Sequence, residues 1–218
     1  MIAKKILYWY DNNKRSLPWR NKCSLKQKEY FTLVSEFMLQ QTQVKTVIPY
    51  FNNFIKNIPN FQVLANINEN KLLRHWQGLG YYSRAKNLKK SARLIIDNYN
   101  GRLPKNYDEL KKLPGVGDYT ASAISAIVFD KQIIPIDGNI ERLLKRILNL
   151  KTEKEIKKEN LHKEKKVFGQ TSRSNDYVQA LMEMGALLCK PKIPNCEKCP
   201  ITKNCLSFKK QDFEIKKK

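Results

Sequence analysis

The chain of 218 residues carries 42 Lys and Arg against 20 Asp and Glu, which gives a formal net charge of +22 at pH 7. This length can bury one sizeable core or two smaller ones without disulfide staples. The positive charge exceeds what solubility needs, so a polyanionic partner explains it most simply, although a lysine-rich proteome would also produce it. No run approaches the roughly 20 apolar residues that span a bilayer, and residues 1–10 lack a secretory signal. We therefore expect a cytosolic protein without a membrane partner.

Apolar residues recur with helical spacing along most of the chain, and no alternating run is long enough for a sheet. The expected fold class is therefore all-α. The segment 151–166 is highly charged and is interpreted as a solvated helix or a mobile connection. Helices are predicted at 30–41, 68–76, 84–98, 107–112, 119–129, 139–148 and 177–188. Breaks are predicted at Pro18, Pro49, Pro59, Gly78, Gly80, Gly101, Pro104, Pro114, Gly115, Gly117 and Pro135.

The segment 113–117, Leu-Pro-Gly-Val-Gly, lies between two predicted helices. Its glycines let the backbone turn with N–H groups exposed near the start of the next helix, and such groups form an anion site suited to a DNA phosphate. Gly115, Val116 and Gly117 are therefore candidate DNA contacts. The pattern alone also fits any tight turn between two helices.

Two acidic residues stand in positions that suit catalysis. Glu36 lies in a predicted helix that is apolar nearly all round, where desolvation should raise its pKa until it can hold a proton near neutral pH. Asp137 precedes an amphipathic helix, where a carboxylate caps the helix and stays ionised. A proton donor and an ionised partner are what glycoside cleavage needs. The alternatives are an ion pair for Glu36 and simple capping for Asp137.

Four cysteines near the end of the chain, Cys189, Cys196, Cys199 and Cys205, follow a C-x6-C-x2-C-x5-C pattern. Four crowded thiolates suit either a 4Fe-4S cluster or zinc. Structural zinc sites usually show two short C-x2-C pairs, and here only one pair is close, so we favour the cluster over zinc, disulfides or free thiols. Cys23 lies far away and is expected to be an ordinary side chain. The nearby lysines predict a positively charged, DNA-contacting surface.

The sequence resembles the endonuclease III superfamily of helix-hairpin-helix glycosylases and, within it, the adenine DNA glycosylases of the MutY type. The resemblance covers about residues 17–206. It rests on the four-cysteine spacing and on the segments 17–20 (LPWR), 35–44 (SEFMLQQTQV), 78–84 (GLGYYSR), 113–117 (LPGVG), 137–139 (DGN) and 185–189 (GALLC).

The resemblance implies two helical lobes with DNA and a flipped base in the cleft between them. One lobe is expected at 25–133, with six helices and the hairpin, and the other at 1–24 plus 134–218, with the cluster. The sequence ends at Lys218 without the domain that reads 8-oxoguanine in such glycosylases. The expected partner is double-stranded DNA with a mispaired adenine, bound by a monomer in a bacterial cytoplasm at the nucleoid.

Each family role is carried over to one residue of this sequence. Glu36 matches the acid that protonates adenine at N7 and then helps to activate water, and Asp137 matches the carboxylate that stabilises or transiently bonds the sugar cation. Extrusion is required because these steps are obstructed inside a stacked duplex. Asn139 and Tyr119 match residues that orient the site. Trp19, Arg20 and Gln179 match contacts to the extruded adenine, Gln41 and Tyr81 match side chains that enter the base stack, and Leu79 joins the DNA contacts.

Tyr119 stands where bifunctional endonuclease III relatives have a lysine that forms a Schiff base with the opened sugar. Tyrosine cannot do this, so we expect a monofunctional glycosylase. Residues 23–29 look like an insertion that alters a loop near the base pocket. The alternatives are a thymine glycosylase for T:G mismatches, an endonuclease III-like glycosylase, and a non-catalytic iron-sulfur DNA-binding protein. Glu36 favours adenine, because thymine has no N7 to protonate.

Overall fold

All regular elements of the described residues are helices, as the sequence predicts. The structure is a computed structural model that describes residues 2–150, 167–169 and 171–213. The charged segment 151–166 lies outside this part of the chain. The α-helices are α1 (Ile2–Asn13), α2 (Leu25–Leu39), α3 (Val44–Asn57), α4 (Phe61–Asn66), α5 (Glu69–Trp76), α6 (Tyr82–Tyr99), α7 (Tyr107–Lys111), α8 (Asp118–Ile127), α9 (Gly138–Leu148), α10 (Ser174–Leu187) and α11 (Leu206–Lys209), with 3-10 helices at Pro18–Arg20 and Thr202–Asn204.

The chain divides into two compact units, Ser16–Phe129 and a unit made of Met1–Arg15 and Asp130–Lys218. The predicted lobe had its boundaries at residues 25 and 133, whereas the observed unit begins at Ser16 and ends at Phe129. Leu17 is buried, and the ring of Trp19 packs edge-on against Phe51 of α3 with 5.3 Å between centroids. These contacts place the first 3-10 helix with α2 and α3.

The unit 16–129 surrounds α2 with other helices. α2 packs against α3, α6 and α8, and α4 packs along α6. Three of its helices begin with a capping asparagine, because the side chains of Asn60, Asn68 and Asn106 accept hydrogen bonds from the first N–H groups of α4, α5 and α7. The core of this unit is formed by apolar residues such as Phe37, Phe54 and Trp76.

The second unit is formed by α1, α9, α10 and α11. α10 packs against both α1 and α9, and α11 packs against α9. Its core includes Ile6, Leu144 and Met184. An ion pair between the half-exposed Arg15 and the buried Glu183, with 2.8 Å between Nε and Oε2, links the segment after α1 to α10. Within the described residues, no helix is both long enough and apolar enough to cross a bilayer.

One local expectation was wrong. Pro49 does not break the chain, because it is the sixth residue of α3 and the buried face formed by Val47, Phe51 and Phe54 holds that helix together. In addition, α2 begins at Leu25, earlier than the predicted start at residue 30, and the insertion expected at 23–29 stays a prediction. Ser24 and Gln27 form a capping box at the start of this helix.

Candidate functional site

Glu36 lies in the most buried stretch of α2. Its side chain is 7% exposed, and all residues from Leu33 to Met38 are buried. The expectation that this part of the helix is enclosed on nearly every side is therefore met. A carboxyl group that is shielded from bulk water in this way is suited to hold a proton and deliver it to a bound group.

Two loops beside α2 carry residues in the left-handed region of backbone conformation. Gln41 has φ = 55° in the loop after α2, and Tyr81 has φ = 48° in the loop before α6. Gln41 is exposed and Tyr81 is 62% exposed, so both side chains reach solvent. Leu79 is 6% exposed and belongs to the core of its unit, and its contact with DNA stays a prediction.

The hairpin 113–117 is packed closely against α2. A Cβ atom built on Gly115 would lie 2.8 Å from Cε1 of Phe37, and φ of Gly115 is +82°, so only glycine fits. Gln40 Nε2 donates to the carbonyl of Gly115 over 3.3 Å. The side chain of Val116 is buried and its N–H donates to Leu113. The exposed parts of the hairpin are therefore the backbones of Gly115 and Gly117.

Tyr119 is the second residue of α8, directly after the hairpin, and is half-buried. The residue before it, Asp118, binds Lys111 with 2.6 Å between Oδ1 and Nζ. This ion pair joins the end of α7, which precedes the hairpin, to the start of α8, which follows it. It also lowers the pKa of Asp118, since the hydrogen bond from Lys111 favours the charged carboxylate.

Asp137 is the N-cap of α9 and is held by three hydrogen bonds. Oδ1 accepts from the backbone N–H of Asn139 at 3.0 Å and from that of Ile140 at 2.7 Å. Oδ2 accepts from Asn139 Nδ2 at 3.2 Å. These donors fix the orientation of the carboxylate at the start of the helix. Asp137 is thus a capping residue, as expected, with a supporting amide in Asn139.

Asn139 accepts a hydrogen bond from Arg142 and packs against a glycine of α10. Arg142 Nη2 donates to Asn139 Oδ1 at 2.8 Å and to the carbonyl of Gly185 at 2.7 Å. A Cβ atom on Gly185 would lie 2.5 Å from Cβ of Asn139, so the absence of a side chain lets α10 approach the start of α9. On the same helix, Gln179 is buried and donates to Asn175 Oδ1 at 2.7 Å.

The four cysteines line one cavity beside α9, so the structure brings together the whole predicted ligand set. Burial raises the pKa of the Cys199 thiol to about 11. Burial and then the neighbouring cysteines Cys189 and Cys205 raise the pKa of Cys196. Arg146 Nη1 donates to Cys189 Sγ at 3.3 Å. Cys23 is not part of this cavity, as expected.

The donor set of this cavity, four cysteine side chains, fits a group that is held by four thiolates. In the described part of the chain, no group of three or more His, Cys, Asp or Glu side chains is arranged to hold a metal ion. The four thiols therefore share a cavity without being arranged as a metal-ion site.

Comparison with known proteins identifies the family. A family model described as "HhH-GPD superfamily base excision DNA repair protein" matches residues 34–167, more than half of the chain. The chain belongs to this HhH-GPD superfamily. The match includes the last part of α2 with Glu36, the hairpin and Asp137.

Among curated relatives of this HhH-GPD chain, the adenine DNA glycosylase of Buchnera aphidicola subsp. Baizongia pistaciae is 40% identical over 209 residues, which is 95% of this chain and 58% of the relative. The adenine DNA glycosylase of Mus musculus is 37% identical over 216 residues, which is 96% of this chain and 42% of the relative. The chain therefore spans only about half the length of these relatives.

Solved structures show the same fold. The structure of a thermostable thymine-DNA glycosylase shares 26% sequence identity with this chain and has a TM-score of 0.82. The alignment covers 95% of this chain and 95% of that protein. A trapped endonuclease III-DNA covalent intermediate is 21% identical with a TM-score of 0.73, covers 96% of this chain and is itself covered to 95%. At this low identity, the second likeness concerns the fold alone.

Sequence reasoning missed three arginines that organise this HhH-GPD chain. Arg84, Arg142 and Arg146 donate mainly to backbone carbonyls, and Arg84 and Arg146 are buried. Arg84 stands in the segment 78–84 that carried the resemblance, but nothing in its sequence neighbourhood shows its partners. Arg142 and Arg146 follow Asp137 on one face of α9, and this spacing of four residues was the available signal.

Proposed function

We propose that this chain is a monofunctional DNA glycosylase that hydrolyses the N-glycosidic bond of adenine paired with guanine or 8-oxoguanine. The burial of Glu36 carries this proposal, because adenine leaves easily only after protonation and a shielded carboxyl group is the donor for that step. Family membership and the names of the relatives support it.

In this mechanism Glu36 donates its proton to N7 of the extruded adenine, which makes the base a neutral leaving group. The bond between N9 and C1′ then breaks, and the electron pair goes to the base. The carboxylate left on Glu36 accepts a proton from the water molecule that attacks C1′. The products are free adenine and an abasic site.

Asp137 stabilises the positive charge that develops on the sugar. Its carboxylate is fixed by the N–H groups of Asn139 and Ile140 and by the amide of Asn139. It therefore needs no reorientation when the cation forms, which is the condition for strong electrostatic stabilisation.

Extrusion of the base relies on the exposed loops. Gln41 and Tyr81 enter the gap in the base stack, and the backbones of Gly115 and Gly117 bind a phosphate. Stacking of Tyr81 on a neighbouring base offsets part of the cost of unstacking, which is a few kcal/mol for a base pair. Trp19, Arg20 and Gln179 contact the extruded adenine.

The four cysteines Cys189, Cys196, Cys199 and Cys205 hold a 4Fe-4S cluster. When bound, the cluster supplies a structural cross-link between the segments that carry the four thiolates. The purified chain should contain iron, with the broad visible absorbance of such clusters, and Cys196→Ser should remove both. Cys23→Ser is the matched control and should keep them. Stoichiometric zinc without iron would contradict this assignment.

The central experiment is single-turnover cleavage of duplexes that carry A:8-oxoG, A:G, T:G or thymine glycol. We expect excision of adenine, and loss of at least about a thousandfold in rate for Glu36→Gln, which cannot donate a proton. Glu29→Gln is the matched control, because Glu29 is also a buried acidic residue of α2 and its carboxylate binds Arg102. It should lower stability without a comparable loss of the excision rate.

Other outcomes of this experiment separate the alternatives. Preferential removal of thymine from T:G would favour the activity named for the thermostable thymine-DNA glycosylase. Binding to all four duplexes without any cleavage would indicate a non-catalytic DNA-binding protein. Full adenine excision by Glu36→Gln would remove Glu36 as the proton donor.

A further inference from the structure

Arg84 occupies the end of α2 although it belongs to the first turn of α6. Its side chain is buried, and Nη1 donates to the carbonyls of Phe37 at 3.1 Å, Met38 at 3.0 Å and Gln40. Nη1 also donates to Thr42 Oγ1 at 3.2 Å. The last carbonyls of a helix have no partner within the helix and carry partial negative charge. Arg84 therefore caps α2 from outside.

The second terminal nitrogen of Arg84 binds the other loop. Nη2 donates to the carbonyls of Leu79 at 2.9 Å and Gly80 at 3.1 Å. The guanidinium also lies 5.4 Å from the centroid of the Tyr81 ring. One side chain thus holds the loop after α2 with one nitrogen and the loop before α6 with the other.

The bound carbonyls of Gln40 and Gly80 immediately precede the left-handed residues Gln41 and Tyr81. A left-handed conformation is unfavourable for residues other than glycine and persists only where neighbouring contacts impose it. The peptide groups that join Gln40 to Gln41 and Gly80 to Tyr81 each accept a hydrogen bond from the Arg84 guanidinium, which orients them. The conformations of the two residues therefore depend on one group.

We propose that Arg84 is a positioning residue that couples the two loops, so that Gln41 and Tyr81 are presented to DNA together. This inference rests on the proposed function only for the statement that Gln41 and Tyr81 contact DNA. Arginine suits the task because its planar fork offers donors in two directions, whereas lysine has one compact donor group that serves one loop at a time.

Hydrogen exchange of the free, full-length protein tests the coupling without DNA. Thr42 N–H bonds to Leu39 and Leu79 N–H bonds to Trp76, so each loop has a reporter amide. Arg84→Lys should accelerate exchange at both amides about tenfold or more, because several hydrogen bonds are lost. Arg93→Lys, on the exposed side of α6, is the matched control and should leave both unchanged.

A milder variant keeps the test decisive if Arg84→Lys is poorly folded. Thr42→Val removes one acceptor of Arg84 from one loop only. Coupling predicts about threefold faster exchange at Leu79 N–H, in the loop that the substitution does not touch. Acceleration confined to Thr42 and its neighbours, or uniform acceleration throughout residues 16–129, would overturn the proposal.

A second measurement examines the use of the loops on DNA. The fluorescence of 2-aminopurine, placed at the target position opposite guanine, reports extrusion without bond cleavage. Gln41→Ala and Tyr81→Ala should reduce the signal non-additively when Arg84 is present, and additively in the Arg84→Lys background. Equal coupling in both backgrounds would contradict the inference. A protein that shows the exchange pattern but excises no adenine would refute the proposed function and leave the coupling intact.

Discussion

Gly185→Ala tests how closely α10 supports the carboxylate at the start of α9. An alanine Cβ would lie 2.5 Å from Cβ of Asn139 and 3.2 Å from both its Cα and its carbonyl carbon. Two of these atoms are backbone, so no flexible side chain can move aside. Overpacking of this kind costs about 1–3 kcal/mol, and displacement of Asn139 would weaken the cap at Asp137 by about 1 kcal/mol.

The helix itself favours the substitution, because alanine is better than glycine inside a helix by about 1 kcal/mol. The net expectation is a loss of about 1–3 kcal/mol in the free energy of unfolding, measured by urea titration. Single-turnover adenine excision should fall about tenfold or more, since Asp137 loses its fixed orientation. Gly138→Ala is the control for stability, because no atom lies within 4 Å of its Cβ position. Unchanged stability and excision in Gly185→Ala would refute this reasoning.

Three further expectations follow from single contacts. Burial raises the pKa of Tyr30 well above its usual value of 10.0, so its contribution to stability is complete below pH 10 and is lost as the pH rises further. Tyr30→Phe should flatten that loss in urea titrations at pH 7 to 11 and cost about 1 kcal/mol at pH 7, because the carbonyl of Ile58 loses its donor. Gly78→Ala should cost about 2 kcal/mol or more, since its Cβ would lie 2.0 Å from Tyr50 Oη at φ = +99°. Adding Tyr50→Phe should recover only part of this cost in thermal unfolding, because the backbone strain remains; complete recovery would show that the strain is absent. Tyr119→Lys should gain an enzyme-DNA complex that borohydride traps, whereas the wild type should give none, and efficient trapping of the wild type would show that another lysine acts as the nucleophile.

The helical fold was predictable because local chemistry agrees with the final structure. Asn68, the first residue of the helix predicted at 68–76, and Asn106, just before the helix predicted at 107–112, act as caps. The apolar spacing of α9 places Ile140, Leu144 and Ile147 in the core. The break predicted at Pro49 was wrong, because that prediction counted only the backbone hydrogen bond that proline cannot donate. The free energy gained by burying one face of α3 is larger than the loss of that hydrogen bond.

The candidate carboxylates were predictable for a different reason. Glu36 stood out as a charged residue in an apolar helix, and Asp137 stood out as a cap at a turn. What could not be predicted is the support behind them. Gly185 is 46 residues from Asn139 in sequence, and only the packing of α10 on α9 shows that a side chain would not fit there.

The same limit applies to the arginines. In a chain with 42 Lys and Arg, each basic residue looks like a candidate for a DNA phosphate. Arg142 instead donates to the carbonyl of Cys189 at 2.7 Å, and burial lowers the pKa of its guanidinium. Arg146, one turn later, binds the carbonyls of Lys190 at 2.7 Å and Pro191 at 2.6 Å.

α9 is therefore capped by Asp137 and carries, along one face, the donors that hold the first segment of the cysteine loop. Motifs that are about 50 residues apart in sequence thus meet on one rigid helix of 11 residues. The guanidinium groups that make this connection, like that of Arg84, are occupied by protein oxygens and are not available for phosphates. The net charge of +22 is consequently an upper limit on the electrostatic contribution to DNA binding. The arginines that donate to protein oxygens determine where the loops and the carboxylate lie, and in the proposed function the exposed lysines would bind the polyanion.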